Sequence, residues 1–363
     1  MTDTPVWETG DWEGLDALAG GREADLCVVG LGGSGLAAVD EGLALGLDVV
    51  GIDAGRVAGE AAGRNGGFLL AGMPLFYHEA VLRWGDAARI VYQLTLAELD
   101  RIMTTQQTTA RVGSLRIADD DAELADIGDE LSALRAHGFE SHPYDGPEGE
   151  GLLLPADGSC NPMRRCRGMV ADLVSGGASL YERTRAVEIG NGRVETEGGV
   201  IEADQIVVAV DGRLELVFPR LQGQVRTARL EMLATEPIER RYDRPVYTAH
   251  GYIYWQQLPD GSVALGGLRD RFADHSWTTE PGPTPELQDA LEGYLGELGI
   301  EATITHRWAG HAAYTPDRAP IYTELDPGVW VVGGYCGHGN VLGAVYARAA
   351  VRSAVSGSRE PLL

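Results

Sequence analysis

Three glycine-rich clusters hold the residue types whose spacing could do chemistry. The first is Gly30-Leu31-Gly32-Gly33-Ser34-Gly35, followed by Asp53. This is the G-x-G-x-x-G spacing that lets a backbone turn tightly, approach a pyrophosphate and pack a helix on a strand. An acid at the end of the next strand can accept hydrogen bonds from both hydroxyls of a ribose. The second is Gly63-Arg64-Asn65-Gly66-Gly67, two glycines after a charged and polar pair, suited to backbone lying against a planar or anionic group. The third is Gly333-Gly334-Tyr335-Cys336-Gly337-His338-Gly339-Asn340, a turn that runs into an apolar helical stretch.

The elements needed to hold these clusters are legible around them. Asp25–Gly30 is a short apolar strand, 36–46 has apolar residues at helical spacing, and Leu47–Asp53 is a second strand. A strand, helix and strand in this order demand a parallel pair with a right-handed crossover. The C-terminal VWVVGGY strand, followed by a glycine turn and a helix, resembles the N-terminal unit, so both ends are expected to build one nucleotide domain. Between them the spacing predicts a long helix within 78–108, a strand at 114–118 and a helix over 118–138 with an acidic first turn. It predicts another helix over 161–177 with Pro162 at its first position. Short strands are expected over 179–210, longer ones over 220–270, and a helix over 285–299. Residues 1–22 read as a poorly ordered or surface-draped lead-in.

Composition narrows the function. With 54 acidic against 29 basic residues the net charge is −25, which repels nucleic acid and anionic membranes. All 29 basic residues are arginine. The absence of lysine excludes Schiff-base and P-loop chemistry. Cys27, Cys160, Cys166 and Cys336 show no CxxC pairing, so reduced thiols in a cytoplasmic protein and no metal are expected. The acidic N-terminus is no signal peptide, and no apolar run is long enough for a membrane helix.

The three clusters, with GEAAGRNGG (59–67), GSCNPMRRCRGM (158–169), IVVAVDG (206–212) and TPDRAPI (315–321), resemble the D-amino-acid oxidase (DAO) superfamily of FAD-dependent oxidoreductases. The branch of glycine, sarcosine and gamma-glutamylputrescine oxidases looks nearest. The resemblance implies an α/β fold: a discontinuous FAD-binding Rossmann-like domain of glutathione-reductase type over 1–75, 150–218 and 305–363. A second α+β substrate domain on an antiparallel sheet would take 76–149 and 219–304. It places FAD contacts at Gly30, Gly32, Gly33, Ser34 and Gly35, and at Asp53, Ala54, Arg56 and Ala61. Arg64, Asn65, Gly66 and Gly67 would lie along the flavin, with Val187 on the adenine side and further contacts at Ala209 and Gly334. Gly337, His338, Gly339, Asn340 and Val341 would meet the pyrimidine edge, where a helix N-terminus favours negative charge. The GRNGG loop and GHG turn argue against a nicotinamide dehydrogenase.

Two departures from the family are visible. Sarcosine oxidase attaches its flavin through a cysteine five residues before the threonine of the TPD motif; here Gly310 stands there, so FAD is expected to be noncovalent. Members acting on α-amino acids often carry arginine three residues before that threonine; here it is Ala312. That leans the substrate toward an amine or polyamine derivative, with Arg269 or Arg307 able to compensate. Alternation along 250–255 puts His250, Tyr252 and Tyr254 on one face as an amine-binding wall. Tyr252, Tyr254, His311 and Tyr335 are thus expected around the substrate and His338 at the flavin.

The implied reaction is hydride transfer from the carbon beside nitrogen to flavin N5, giving an imine that hydrolyses, with oxygen or another acceptor taking the electrons. A glycine or D-amino-acid oxidase, or a non-catalytic FAD-binding subunit, are the alternatives. A homo-oligomer is compatible with the sequence.

Overall fold

The computed structural model describes residues 3–106 and 108–363. Its first sheet is built on five neighbouring parallel strands in the order Ser179–Tyr181, Val49–Ile52, Arg22–Val29, Gly199–Val208 and Val329–Gly333. Both ends of the chain therefore supply it. Strand Gly199–Val208 is long enough to change partners. Its first half pairs antiparallel with Arg193–Thr196, and Ile206–Val208 pairs with Val329–Val331. Sequence spacing divides this strand into two pieces; the register shows one.

Burial explains the apolar runs. In strand Arg22–Val29, Leu26 and Val28 enter one core cluster and Cys27 and Val29 the other, so the sheet is covered on both faces. Helices Gly33–Ala44, Pro162–Ser175 and Leu342–Ser356 pack together on one side. Asn161 caps the second of these by accepting from the Arg164 N–H, with Pro162 at its first position.

The second sheet has eight strands. Their order is Ile304–Tyr314, Arg226–Thr235, Val263–Gly267, Ile253–Gln257, Val246–Thr248, Ser114–Ile117, Gly149–Leu154 and His142–Gly146. All neighbours are antiparallel except Val246–Thr248 with Ser114–Ile117. Two boundaries expected from sequence move as a result. Strand Ile304–Tyr314 pairs with Arg226–Thr235 rather than with the parallel sheet, and Gly149–Leu154 pairs with Ser114–Ile117. Pairing across the chain, which periodicity does not report, decides both.

The helix expected over 78–108 is two helices, Tyr77–Trp84 and Asp86–Thr105, because Gly85 adopts φ 54° and ends the first. Gln107, within that expectation, lies outside the described residues. The lead-in is not loosely draped. Trp7 is buried edge-on to Trp308, Leu18 is buried, and Asp3 pairs with Arg64.

Candidate active site

Between the two sheets lies a cavity of 690 Å³, within the roughly 300–1,000 Å³ of ligand and cofactor clefts. All three glycine clusters reach it. Gly30, Gly32, Gly33 and Ser34 line it from the first turn. Gly30 has φ 101°, and a Cβ there would meet the Ala209 carbonyl oxygen at 2.7 Å. Gly35 lies just behind, packed so closely that any Cβ would overlap the Gly30 carbonyl. No side chain caps the N-terminus of helix Gly33–Ala44, which leaves its first N–H groups for an anion.

Asp53 marks one end. Its carboxylate accepts from the Leu31 and Gly55 N–H groups, each at 2.8 Å. Burial raises its pKa and these two hydrogen bonds oppose the rise. Ala54, Arg56 and Ala209 line the same region. Thr184, Arg185 and Ala186 close it, whereas the Val187 side chain points to solvent.

The middle is formed by Ala61, Arg64, Asn65 and Gly66. The Arg64 guanidinium is turned away from any ligand. It donates to Asp3 at 2.9 Å, to the Ala309 carbonyl at 2.8 Å and to the Gly59 carbonyl at 3.0 Å. Asn65 bonds Asn340, whose Nδ2 donates to Asn65 Oδ1 and to the Phe68 carbonyl, each at 2.9 Å. The second and third glycine clusters, far apart in sequence, are thus tied together. Gly67 serves the fold rather than the cavity, at φ 74° against the Cys160 carbonyl.

The other end is aromatic and apolar. Tyr254 and Tyr314, with Leu230, Met232, Ala312 and Phe68, form its walls. Gly337, His338, Gly339, Asn340 and Val341 line the approach, ahead of helix Leu342–Ser356, which again has no side-chain cap. His338 Nδ1 is buried without a protein partner. Burial first, then the charges of Arg116 and Arg318, push its pKa down to about 4, so the imidazole is neutral.

The residues expected around a substrate separate. Tyr254, His311 and Tyr335 line the cavity. Tyr335 is buried against Gly339 and Gly343, holding the C-terminal turn. His311 is engaged by Arg213 at 3.2 Å and by the Glu280 carbonyl at 2.9 Å. Its neighbour Glu60 is held near pKa 2: burial opposes this, and His311 and Arg213 outweigh it. His250 leaves the expected face altogether. It sits in a turn at φ 54° and points at Asp126, before the strand begins at Ile253. Tyr252 does not line the cavity; it stacks under Arg269. Arg307 pairs with Glu292 at 2.7 Å and is spent there. Gly334 holds the turn from behind, its N–H bonded to Asp211.

Sequence reading passed over Tyr247, Tyr314, Arg116 and Asp211. Tyr314 directly precedes the TPD motif and shares its strand face with Ala312, so alternation could have found it. Tyr247 sits on a three-residue strand too short to show periodicity.

The comparisons agree with this geometry. A family model described as FAD dependent oxidoreductase (DAO) matches residues 25–353. A probable oxidoreductase, OrdL, from Rhizobium meliloti is 28% identical over 92% of this chain and 84% of its own length. The gamma-glutamylputrescine oxidoreductase of Escherichia coli is 25% identical over 90% of this chain and 82% of its own. Among solved structures, glycine oxidase from Geobacillus kaustophilus superposes with TM-score 0.76 at 17% identity, covering 93% of this chain and 96% of that one. L-proline dehydrogenase from P. horikoshii does so with TM-score 0.76 at 19% identity, covering 96% of each.

The residues present fit FAD: a ribose-binding acid, an uncapped helix over a glycine cradle, and an orphaned imidazole nitrogen at the far end. By family match, fold and site, the chain belongs to the DAO family of FAD-dependent oxidoreductases.

Proposed function

We propose that the enzyme oxidises a C–N bond of an amine or amino-acid derivative. The observation that carries this reading is the aromatic, apolar end of the cavity, closed by a neutral His338. FAD, when bound, supplies the two-electron acceptor for a hydride leaving the carbon beside nitrogen. The chain's task is then positioning and electrostatics. Tyr254, Phe68, Leu230 and Met232 exclude water, which disfavours the ammonium form and so favours the neutral amine. The uncapped helix Leu342–Ser356 directs its positive end at the cavity, where it favours negative charge.

Similar proteins support the reading, since several are named for nitrogen compounds: gamma-glutamylputrescine, glycine and L-proline. Gly310 has no cysteine beside it, which supports noncovalent FAD. With lysine absent and His338 neutral, a cation that assists reaction with oxygen would be an arginine or another histidine. Four buried free thiols suit a reducing, cytoplasmic setting. Among the described residues no helix is long and apolar enough to cross a membrane.

The test is a panel of amines and amino acids added to the yellow protein without oxygen. Bleaching by members of the panel supports the reading; its absence across the panel leaves an FAD-binding subunit. Peroxide formed on admitting air identifies oxygen as the acceptor.

A further inference from the structure

Arg165 lies in the core behind the first glycine cradle. It belongs to helix Pro162–Ser175 and is 3% exposed. Its Nη2 comes so close to Gly33 that a Cβ there would stand 2.8 Å from it. Gly33 is the first residue of helix Gly33–Ala44 and lines the cavity. The same Nη2 reaches the Asn340 carbonyl at 3.4 Å, two residues ahead of helix Leu342–Ser356. The guanidinium thus sits where two helix N-termini meet, and no side chain caps either one.

The protein does not answer this charge. A guanidinium has five N–H donors and stays charged at any ordinary pH. The Nε of Arg165 is buried without a partner, and the Asn340 contact is long. Its other polar neighbours are thiols. Burial pushes Cys160 up to about 12, and it raises Cys166 against the pull of Arg165, so both are neutral. Glu98 feels the Arg165 charge, but its carboxylate is held by Arg348 at 3.2 Å and by Arg101 at 3.6 Å. Glu8 and Glu60, at the cavity wall, are engaged by Arg167 and Arg213. No carboxylate stands at ion-pair distance from Arg165 among the described residues.

The surroundings raise the cost further. Both helix N-termini add positive potential to the guanidinium instead of offsetting it. Cys166, Val170 and Leu173 of the same helix enter an apolar cluster, where an apolar side chain would pack at less cost than a cation. Buried charges are stable when an opposite charge completes them, and here that charge has to come from a ligand. Of the parts of FAD, the oxidised flavin is uncharged and the pyrophosphate carries the full negative charge. Arg165 does not line the cavity, so it acts as a fixed charge from behind the Gly33 turn.

We propose that Arg165 is the buried counter-charge of the FAD pyrophosphate, and that the FAD-free chain carries it unanswered, so that binding of the phosphates is coupled to the stability of the fold. This rests on FAD occupying the cavity and holds for whichever C–N bond the enzyme oxidises. Arg165 then has opposite effects in two states. It stabilises the loaded protein and burdens the empty one.

The test uses the full chain loaded with FAD and two substitutions. Arg165→Met keeps the length of the side chain and loses the charge; Arg165→Lys keeps the charge. FAD released on dilution is read by flavin fluorescence. Arg165→Met is expected to weaken FAD binding at least about tenfold, and Arg165→Lys much less. Melting is then compared with and without FAD. Loaded Arg165→Met should melt below the loaded parent, whereas the chain stripped of FAD should melt at or above the stripped parent. A merely structural role would not reverse the sign. Riboflavin, which lacks the phosphates, should bind the parent and Arg165→Met alike. The proposal is overturned by Arg165→Met holding FAD like the parent, by its losing riboflavin as much as FAD, or by its melting lower by the same margin in both states. Should Arg165→Met not fold, Arg165→Gln carries the same comparisons. A parent chain that takes up no FAD refutes the FAD site itself, whereas normal uptake by parent and variant alike refutes only this inference.

Discussion

Asp211 joins the two lobes at the cavity, and removing it tests how they are coupled. Its Oδ1 accepts from Gly334 N–H at 2.8 Å and Tyr335 N–H at 3.3 Å, and Oδ2 from Ala313 N–H at 3.1 Å. Ala313 belongs to the second sheet, while Gly334 and Tyr335 begin the turn that carries His338. Asp211→Ala leaves three N–H donors in a buried place. At about 1–3 kcal/mol each, with entering water recovering part, the net loss is about 3 kcal/mol. Asp211→Asn keeps one oxygen for Gly334 and Tyr335 but turns an NH₂ toward Ala313, a loss of about 1 kcal/mol. The pH dependence separates these effects further. Burial raises the Asp211 pKa to about 6 against the pull of its three N–H donors. A carboxyl raised in the folded state contributes most while protonated. Its contribution is full below about pH 4 and is lost as pH rises through about 6. Asparagine does not titrate, so the stability gap should shift toward the variant by roughly 2 kcal/mol between about pH 4 and about pH 7. Urea unfolding of the FAD-loaded proteins reads both numbers, and FAD released on dilution reads the coupling to the site. Indistinguishable unfolding of parent and Asp211→Ala would refute the role given to this carboxylate.

Gly35→Ala should abolish FAD retention, because its Cβ would overlap the Gly30 carbonyl; the bound-flavin to protein absorbance ratio checks this. Asp3→Ala should free Arg64 and speed FAD release several-fold, read by the recovery of flavin fluorescence, with a stability loss of about 1 kcal/mol. His338 has a depressed pKa, so its stabilising contribution is present above about pH 6.5 and is lost as pH falls toward 4. Accordingly, His338→Gln should unfold less steeply with acid than the parent, and flavin reduction should show no His338 inflection between about pH 5.5 and about pH 8. Acid precipitation should leave a white pellet and a yellow supernatant; a yellow pellet would contradict noncovalent FAD.

The glycine clusters were legible because their chemistry is local. Gly30 and Gly35 are needed for contacts within one turn, and Asp53 closes the next strand, so order along the chain is enough. The aromatic end is different. The Tyr247 hydroxyl accepts from Arg116, 131 residues away, and nothing in the local pattern of either residue reports the pair. The face assigned to His250 failed for a related reason. Alternation was extended through the turn Ala249–Gly251, although Gly251 at φ 81° signals the left-handed backbone that Ala249 and His250 share. Arg64 shows a third limit. Its place beside the cavity was readable, but the direction of its guanidinium is set by Asp3, in a segment expected to be loose. Strand Ile304–Tyr314 shows a fourth limit: only its pairing with Arg226–Thr235, far away in the chain, assigns it to the second sheet.

The most direct test of the central claim is the visible spectrum of the purified protein in a sealed, oxygen-free cuvette before and after adding a panel of amines and amino acids. The account predicts a two-banded flavin spectrum that bleaches with amines or amino acids of the panel. A colourless protein that binds NAD(H) instead would contradict it.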